Sequence, residues 1–136
     1  HIDLLDISIK CGSNQESLAY IKLKYSNKIL TTESKGTGPI DAVFKAIKGL
    51  ITTKAHLVVY QVNAITKGTD AQAEVNVRLE ENGISVLGVG NDIDTIVASG
   101  KAYINALNKL INKKSKVKDS KKILNSSNST IDKHVI

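Results

Sequence analysis

Residues 71–80 read Ala71-Gln72-Ala73-Glu74-Val75-Asn76-Val77-Arg78-Leu79-Glu80. Ala71, Ala73, Val75, Val77 and Leu79 fall on one side of an extended chain. Gln72, Glu74, Asn76, Arg78 and Glu80 fall on the other. Side chains alternate along a strand, so this decamer predicts a strand with one buried and one wetted face. Glu81-Asn82-Gly83 follows, with the residue types that close a hairpin, and Ile84–Val89 reads as the returning strand. Upstream, the β-branched and aromatic run Leu57–Thr66 predicts a strand reached through the loop Lys67-Gly68-Thr69-Asp70. Downstream, Gly88-Val89-Gly90-Asn91-Asp92 leads into a long helix. Its apolar stripe is Ile93, Ile96, Val97, Gly100, Tyr103, Ile104, Leu107, Leu110 and Ile111.

The first half carries the same order. Leu5–Lys10 reads as a strand with Leu5, Ile7 and Ile9 on one face. Leu18–Tyr25 and Ile29–Ser34 read as two more around the turn Ser26-Asn27-Lys28. Gly36-Thr37-Gly38-Pro39 then opens a helix over Pro39–Ile51. The fold class expected is α+β: two βββα units related by internal pseudo-symmetry, with antiparallel sheets and one helix per unit. The two Gly-x-Gly stretches are expected at equivalent points. One unit has little core of its own, so two units, or four in a dimer, are expected to cover each other's sheets.

The formal charge of +6 is unevenly placed. Residues 113–136 hold seven lysines and two aspartates, whereas residues 1–112 have twelve basic and eleven acidic side chains. The expected division is a folded domain over 1–112 and a flexible Lys/Ser/Asn-rich tail over 113–136, with no nucleic-acid partner for the nearly neutral body. No apolar run reaches the roughly 18–20 residues that cross a bilayer, so no membrane partner is expected. The start at His1-Ile2-Asp3, with no Met in the chain, suggests a fragment of a longer protein. Cys11 is the single cysteine, which suits a cytoplasmic setting.

Catalytic patterns are missing from the sequence. Neither Gly-x-Gly turn continues to G-x-G-x-x-G, and no H-x-H or C-x-x-C spacing occurs. The acids beside the helix starts are more informative. Asp41, Asp92 and Asp94 complement a helix dipole and serve as caps on the plainest reading. They would also repel a phosphate and suit a ligand that carries an ammonium beside its carboxylate.

Gly36-Thr37-Gly38-Pro39-Ile40-Asp41-Ala42, Tyr60-Gln61-Val62, Gly68-Thr69-Asp70-Ala71-Gln72-Ala73-Glu74-Val75, and Gly88-Val89-Gly90 through Asn108 resemble the regulatory domain of 2-isopropylmalate synthases and (R)-citramalate synthases. The resemblance covers roughly residues 3–112. It implies a homodimer that binds leucine or isoleucine near the subunit interface and inhibits a separate catalytic barrel. The implied effector residues are Gly36, Gly38, Ile40, Asp41, Leu57, Tyr60, Ala64, Ala71, Ala73, Val75, Asp92 and Asp94. No cofactor is implied for this chain. The parent's divalent metal and acetyl-CoA belong to the barrel, whose Arg-Asp-Gly and His-x-His motifs do not occur here. Gly100 departs from the pattern, which has alanine at that point of the helix.

Overall fold

A computed structural model describes residues 1–12, 16–67 and 70–135, with side-chain surroundings given outside 66–70 and as far as Lys118. The chain order is β1 (Asp3–Cys11), β2 (Ser17–Tyr25), β3 (Lys28–Gly36), α1 (Pro39–Leu50), β4 (His56–Lys67), β5 (Asp70–Glu81), β6 (Ile84–Asp92) and α2 (Thr95–Val135). The strands form two antiparallel sheets, ordered β1-β2-β3 and β4-β5-β6. The expected pair of βββα units is therefore the observed architecture. The Gly68-Thr69 part of the expected β4–β5 loop lies outside the described residues.

The duplication extends to details that alternation alone does not reveal. Both hairpins close on a two-residue turn with positive φ at both positions, Ser26-Asn27 and Asn82-Gly83. That backbone matches the right-handed twist of the flanking strands. Both first strands carry a register shift at the same place, between Leu4 and Asp6 in β1 and between Leu57 and Val59 in β4. The shift corrects one expectation. Leu4, which pairs with Leu23, joins Ile7 and Ile9 on the inner face, and Leu5 turns outward at 48% exposure. A residue inserted into one strand reverses the parity of everything on one side of it.

Each helix covers the inner face of its own sheet. α1 lies over β2 and β3, burying Ala42, Val43, Ala46 and Ile47. α2 lies over β5 and β6, and its other side meets α1 and β1. Covered on two sides, α2 buries more than the expected stripe: Ala98, Ser99, Ala102, Tyr103, Ile104, Ala106, Leu107 and Leu110 are all inside. Ile93 precedes the helix and is exposed. The first strand is tied to this helix by a two-bond clamp. The Ile2 amide donates to Asn108 Oδ1 at 2.7 Å, and Asn108 Nδ2 donates to the Ile2 carbonyl at 3.0 Å.

The second Gly-x-Gly stretch is not the counterpart of the first. By register, Gly36 corresponds to Asp92, since each ends its sheet's last strand two residues before a helix N-cap. Gly88 and Gly90 lie inside β6. A Cβ on Gly88 would sit 2.2 Å from the Ala102 carbonyl oxygen, and one on Gly90 would sit 2.2 Å from that of Ala98. These glycines let helix backbone rest on strand backbone; they do not form a turn.

α2 continues to Val135, past the end of the apolar stripe at Ile111. Residues 113–135 contain neither Gly nor Pro, so nothing stops the helix. A lysine-rich composition argues against burial, which is a separate matter from helical path.

Gly90→Ala should therefore destabilise the fold by about 3 kcal/mol, the upper range for forced overpacking. Gly49 has no atom near its missing Cβ, and Gly49→Ala should stabilise by about 0.5 kcal/mol. Urea unfolding midpoints of the two variants should move in opposite directions.

Candidate effector site

Cross-strand pairing sorts the inner face of the second sheet into rows. Ala64, Ala73 and Asp92 form one row; Val62, Val75 and Gly90 the next; Tyr60, Val77 and Gly88 the third; Leu57, Leu79 and Val86 the fourth. The pair Thr66–Ala71 extends the face outward. Seven of the expected effector residues thus share one surface: Leu57, Tyr60, Ala64, Ala71, Ala73, Val75 and Asp92. Small side chains at Ala64, Ala71 and Ala73 leave its outer end low. Val75 is buried, and Leu57 lies three rows from Ala64.

α2 meets the β4 part of this face at Tyr60 and leaves most of it uncovered. Seated on β6, it leaves Leu57 and Val62 each 44% exposed and Tyr60 36% exposed. Tyr60 is the strand's link to the helices. Its hydroxyl is 2.7 Å from Ser99 Oγ, and the Ser99 hydroxyl lies 2.7 Å from the Thr95 carbonyl. The Phe44 ring meets Tyr60 edge-on at 5.8 Å and stacks on Tyr103 at 4.7 Å. Phe44 lies one helical turn beyond Ile40 and Asp41, so the aromatic cluster connects the start of α1 to β4. Burial pushes the Tyr103 phenol up to about 12. Phe44 and Tyr103 read in the sequence as ordinary apolar-stripe positions, and Ser99 falls outside the stripe. The polar Ser99 on a buried helix side was the available signal.

The expected residues of the first unit sit around the start of α1. Gly36 is enclosed, with the Ala42 backbone nitrogen 2.4 Å from where its Cβ would be. Gly38 is the N-cap and Ile40 is half-buried in the first turn. Asp41 reaches back: its Oδ2 accepts from the Thr37 amide at 3.0 Å and the Thr37 hydroxyl at 3.3 Å, and it pairs with Lys45 at 3.1 Å. The Thr37 amide, then Lys45, hold this carboxyl below its ordinary value.

Asp92 ends β6 rather than starting the helix. Its Oδ1 accepts from the Asp94 amide at 3.0 Å, and its Oδ2 pairs with Lys101 at 2.9 Å. The Asp94 amide, then Lys101, lower its pKa. Asp94 is the N-cap of α2: its Oδ1 accepts from the Ile96 amide at 2.8 Å and its carbonyl from the Ala98 amide at 2.9 Å. All three acids therefore have local capping partners. Among the described residues, no group of three His, Cys, Asp or Glu side chains could hold a metal ion. Among the described residues, no helix is long and apolar enough to cross a membrane.

The free edges of the second sheet differ. On β6, Asn105 Oδ1 accepts from the Val89 amide at 3.0 Å, Lys109 Nζ donates to the Leu87 carbonyl at 2.7 Å, and Lys113 Nζ donates to the Ser85 carbonyl at 3.1 Å. This i, i+4 ladder satisfies one edge from the helix. β4 packs chiefly on β5 and presents apolar side chains on both faces, Val59 outward and Val62 inward. A duplicated βββα scaffold with one sealed edge and one open apolar edge defines an association domain.

Residues 1–111 match the LeuA allosteric (dimerisation) domain family. The 2-isopropylmalate synthase of Bradyrhizobium sp. (strain BTAi1) is 49% identical over 113 residues, covering 83% of this chain and 22% of that protein. That of Methylorubrum populi is 49% identical over 109 residues, 80% of this chain and 21% of the relative. That of Afipia carboxidovorans is 46% identical over 110 residues, 81% and 21% respectively. The chain belongs to the LeuA allosteric (dimerisation) domain family. It spans about a fifth of the length of these curated relatives.

Both lowered acids set a pH dependence. Each contributes stability that is complete above its unfolded pKa, near 4, and is lost as pH falls through the lower folded value. Carboxyl-detected NMR titration should place the Asp41 and Asp92 midpoints below 3.8. Asp94→Ala should cost about 1 kcal/mol through loss of the cap, measured by urea unfolding.

Proposed function

We propose that this chain is the regulatory domain of a 2-isopropylmalate synthase, binding leucine as feedback effector and pairing with a second copy of itself. The carrying observation is the largely uncovered inner face of β4, where Ala64 and Ala73 form a low row that ends at Asp92, two rows from Tyr60. A branched aliphatic side chain fits over small apolar residues, and its ammonium suits the neighbouring carboxylates. The acids that cap the helix starts (Asp41, Asp92 and Asp94) turn negative groups toward that end of the domain. A second subunit docking on β4 would complete the pocket and cover Leu57, Val59 and Val62.

On this reading the catalytic barrel, with its divalent metal and acetyl-CoA, occupies the rest of the parent protein. The setting is cytoplasmic. Isoleucine is the alternative effector, as in a citramalate synthase. The names of the curated relatives favour leucine. One methyl position separates the two ligands by only about 1–3 kcal/mol.

Calorimetric titration should give saturable leucine binding that is tighter than isoleucine binding. Asp41→Ala should weaken it and Ala73→Leu should abolish it by filling the low row. Absence of heat for both amino acids at millimolar concentration would remove the effector role. Sedimentation should show a dimer that Val59→Lys/Val62→Lys converts to monomer; a double variant that stays dimeric would place the interface elsewhere.

A further inference from the structure

A cavity of about 550 Å³ shares no residue with the β4 face. It lies at the other end of the domain, between the α1–β4 connector, the β5–β6 turn and α2. Its α2 wall is Lys114, Val117 and Lys118, all beyond the family match at residue 111. Lys54 and Lys118 stand at the cavity with no acidic partner among the described residues. Glu81 supplies the single carboxylate in the lining. Its side chain is only 4% exposed and is already paired with Lys114. The cavity therefore has a net positive lining. The Thr53 hydroxyl oxygen accepts from the Ala55 amide, which leaves its proton free to donate.

A second cavity of about 270 Å³ adjoins the first and shares Thr52, Thr53 and Lys114 with it. Its other lining residues are Tyr25 and the aliphatic Leu50, Ile51, Leu107, Leu110 and Ile111. The pair thus presents a cationic, hydroxyl-bearing mouth and an apolar recess.

We infer that this cleft is a binding site for an aliphatic carboxylate, with the oxyanion held by Lys54 and Lys118 and the hydrocarbon tail lodged against Leu50 and Ile111. A bare phosphate would satisfy the lysines and leave the recess unused. A zwitterionic amino acid would bring its ammonium to the lysines. Both should bind worse than a simple fatty carboxylate. The site is independent of the leucine reading, because it lies at the opposite ends of β5, β6 and the helices and shares no residue with the β4 face.

Amide NMR spectra of this chain titrated with hexanoate test the assignment, with inorganic phosphate and leucine in parallel. Hexanoate should give saturable shifts at Thr52, Thr53, Ile111 and Lys114, with a Kd in the millimolar range. Lys54→Glu/Lys118→Glu, two surface changes, should raise that Kd by about fivefold or more, as expected for two partly exposed charge contacts. Shifts that fail to saturate by about 20 mM, an equal response to phosphate, or a Kd unmoved in the double variant would each overturn the site. Leucine shifts confined to β4 residues would leave it standing, and leucine shifts at Thr52 and Lys114 as strong as those of hexanoate would overturn it.

Discussion

The structure depends on the contact between α2 and β6, where helix backbone lies directly on strand backbone. Gly88 and Gly90 remove the side chains from that part of β6, and Ala98, Ala102 and Ala106 keep the helix surface low. So close a seat fixes α2 over one side of its sheet. It brings Asn105, Lys109 and Lys113 within reach of the β6 edge, where they satisfy backbone groups that would otherwise be open for pairing. It also leaves β4 largely uncovered on the far side. The apolar surface of β4 is thus a consequence of where the helix is held.

The two units share register, bulge and turn, yet they differ at one pair of equivalent contacts. Gly100 of α2 lets the helix come down on β1, with Ile7 Cδ1 3.1 Å from where a Cβ would be. At the corresponding place in α1 stands Phe44, and opposite it stands Tyr60 where β1 has Ile7. Two aromatic rings hold α1 away from β4, while a missing side chain draws α2 onto β1. One inter-unit gap is closed and the other is propped open. This gives a physical reason for the departure at Gly100: its value lies in tertiary approach and outweighs the helix-propensity cost of up to about 1 kcal/mol.

The acids near the helix starts are held by local partners. Asp41, Asp92 and Asp94 are engaged by the Thr37, Asp94 and Ile96 amides, so their positions are fixed before any ligand arrives. Groups already held in place lose little freedom when a cation approaches them.

Much of this was legible in the chain itself. The alternation in Ala71–Glu80, the Asn82-Gly83 turn and the stripe from Ile96 to Ile111 determined strands, hairpin and helix, because burial on one face imposes a period on the sequence. The same alternation put Ala71, Ala73 and Val75 on one side. What the pattern could not supply was anything that depends on distance between elements. The bulge that turns Leu5 outward, the place of Gly88 and Gly90 within a strand, and the link from Phe44 through Tyr60 to Ser99 are all long-range. Only the tertiary structure decided that β4 is the open strand and that a second, cationic cleft forms where residues beyond 111 meet the β5–β6 turn. A local period records which face is buried, and it carries no information about what does the burying.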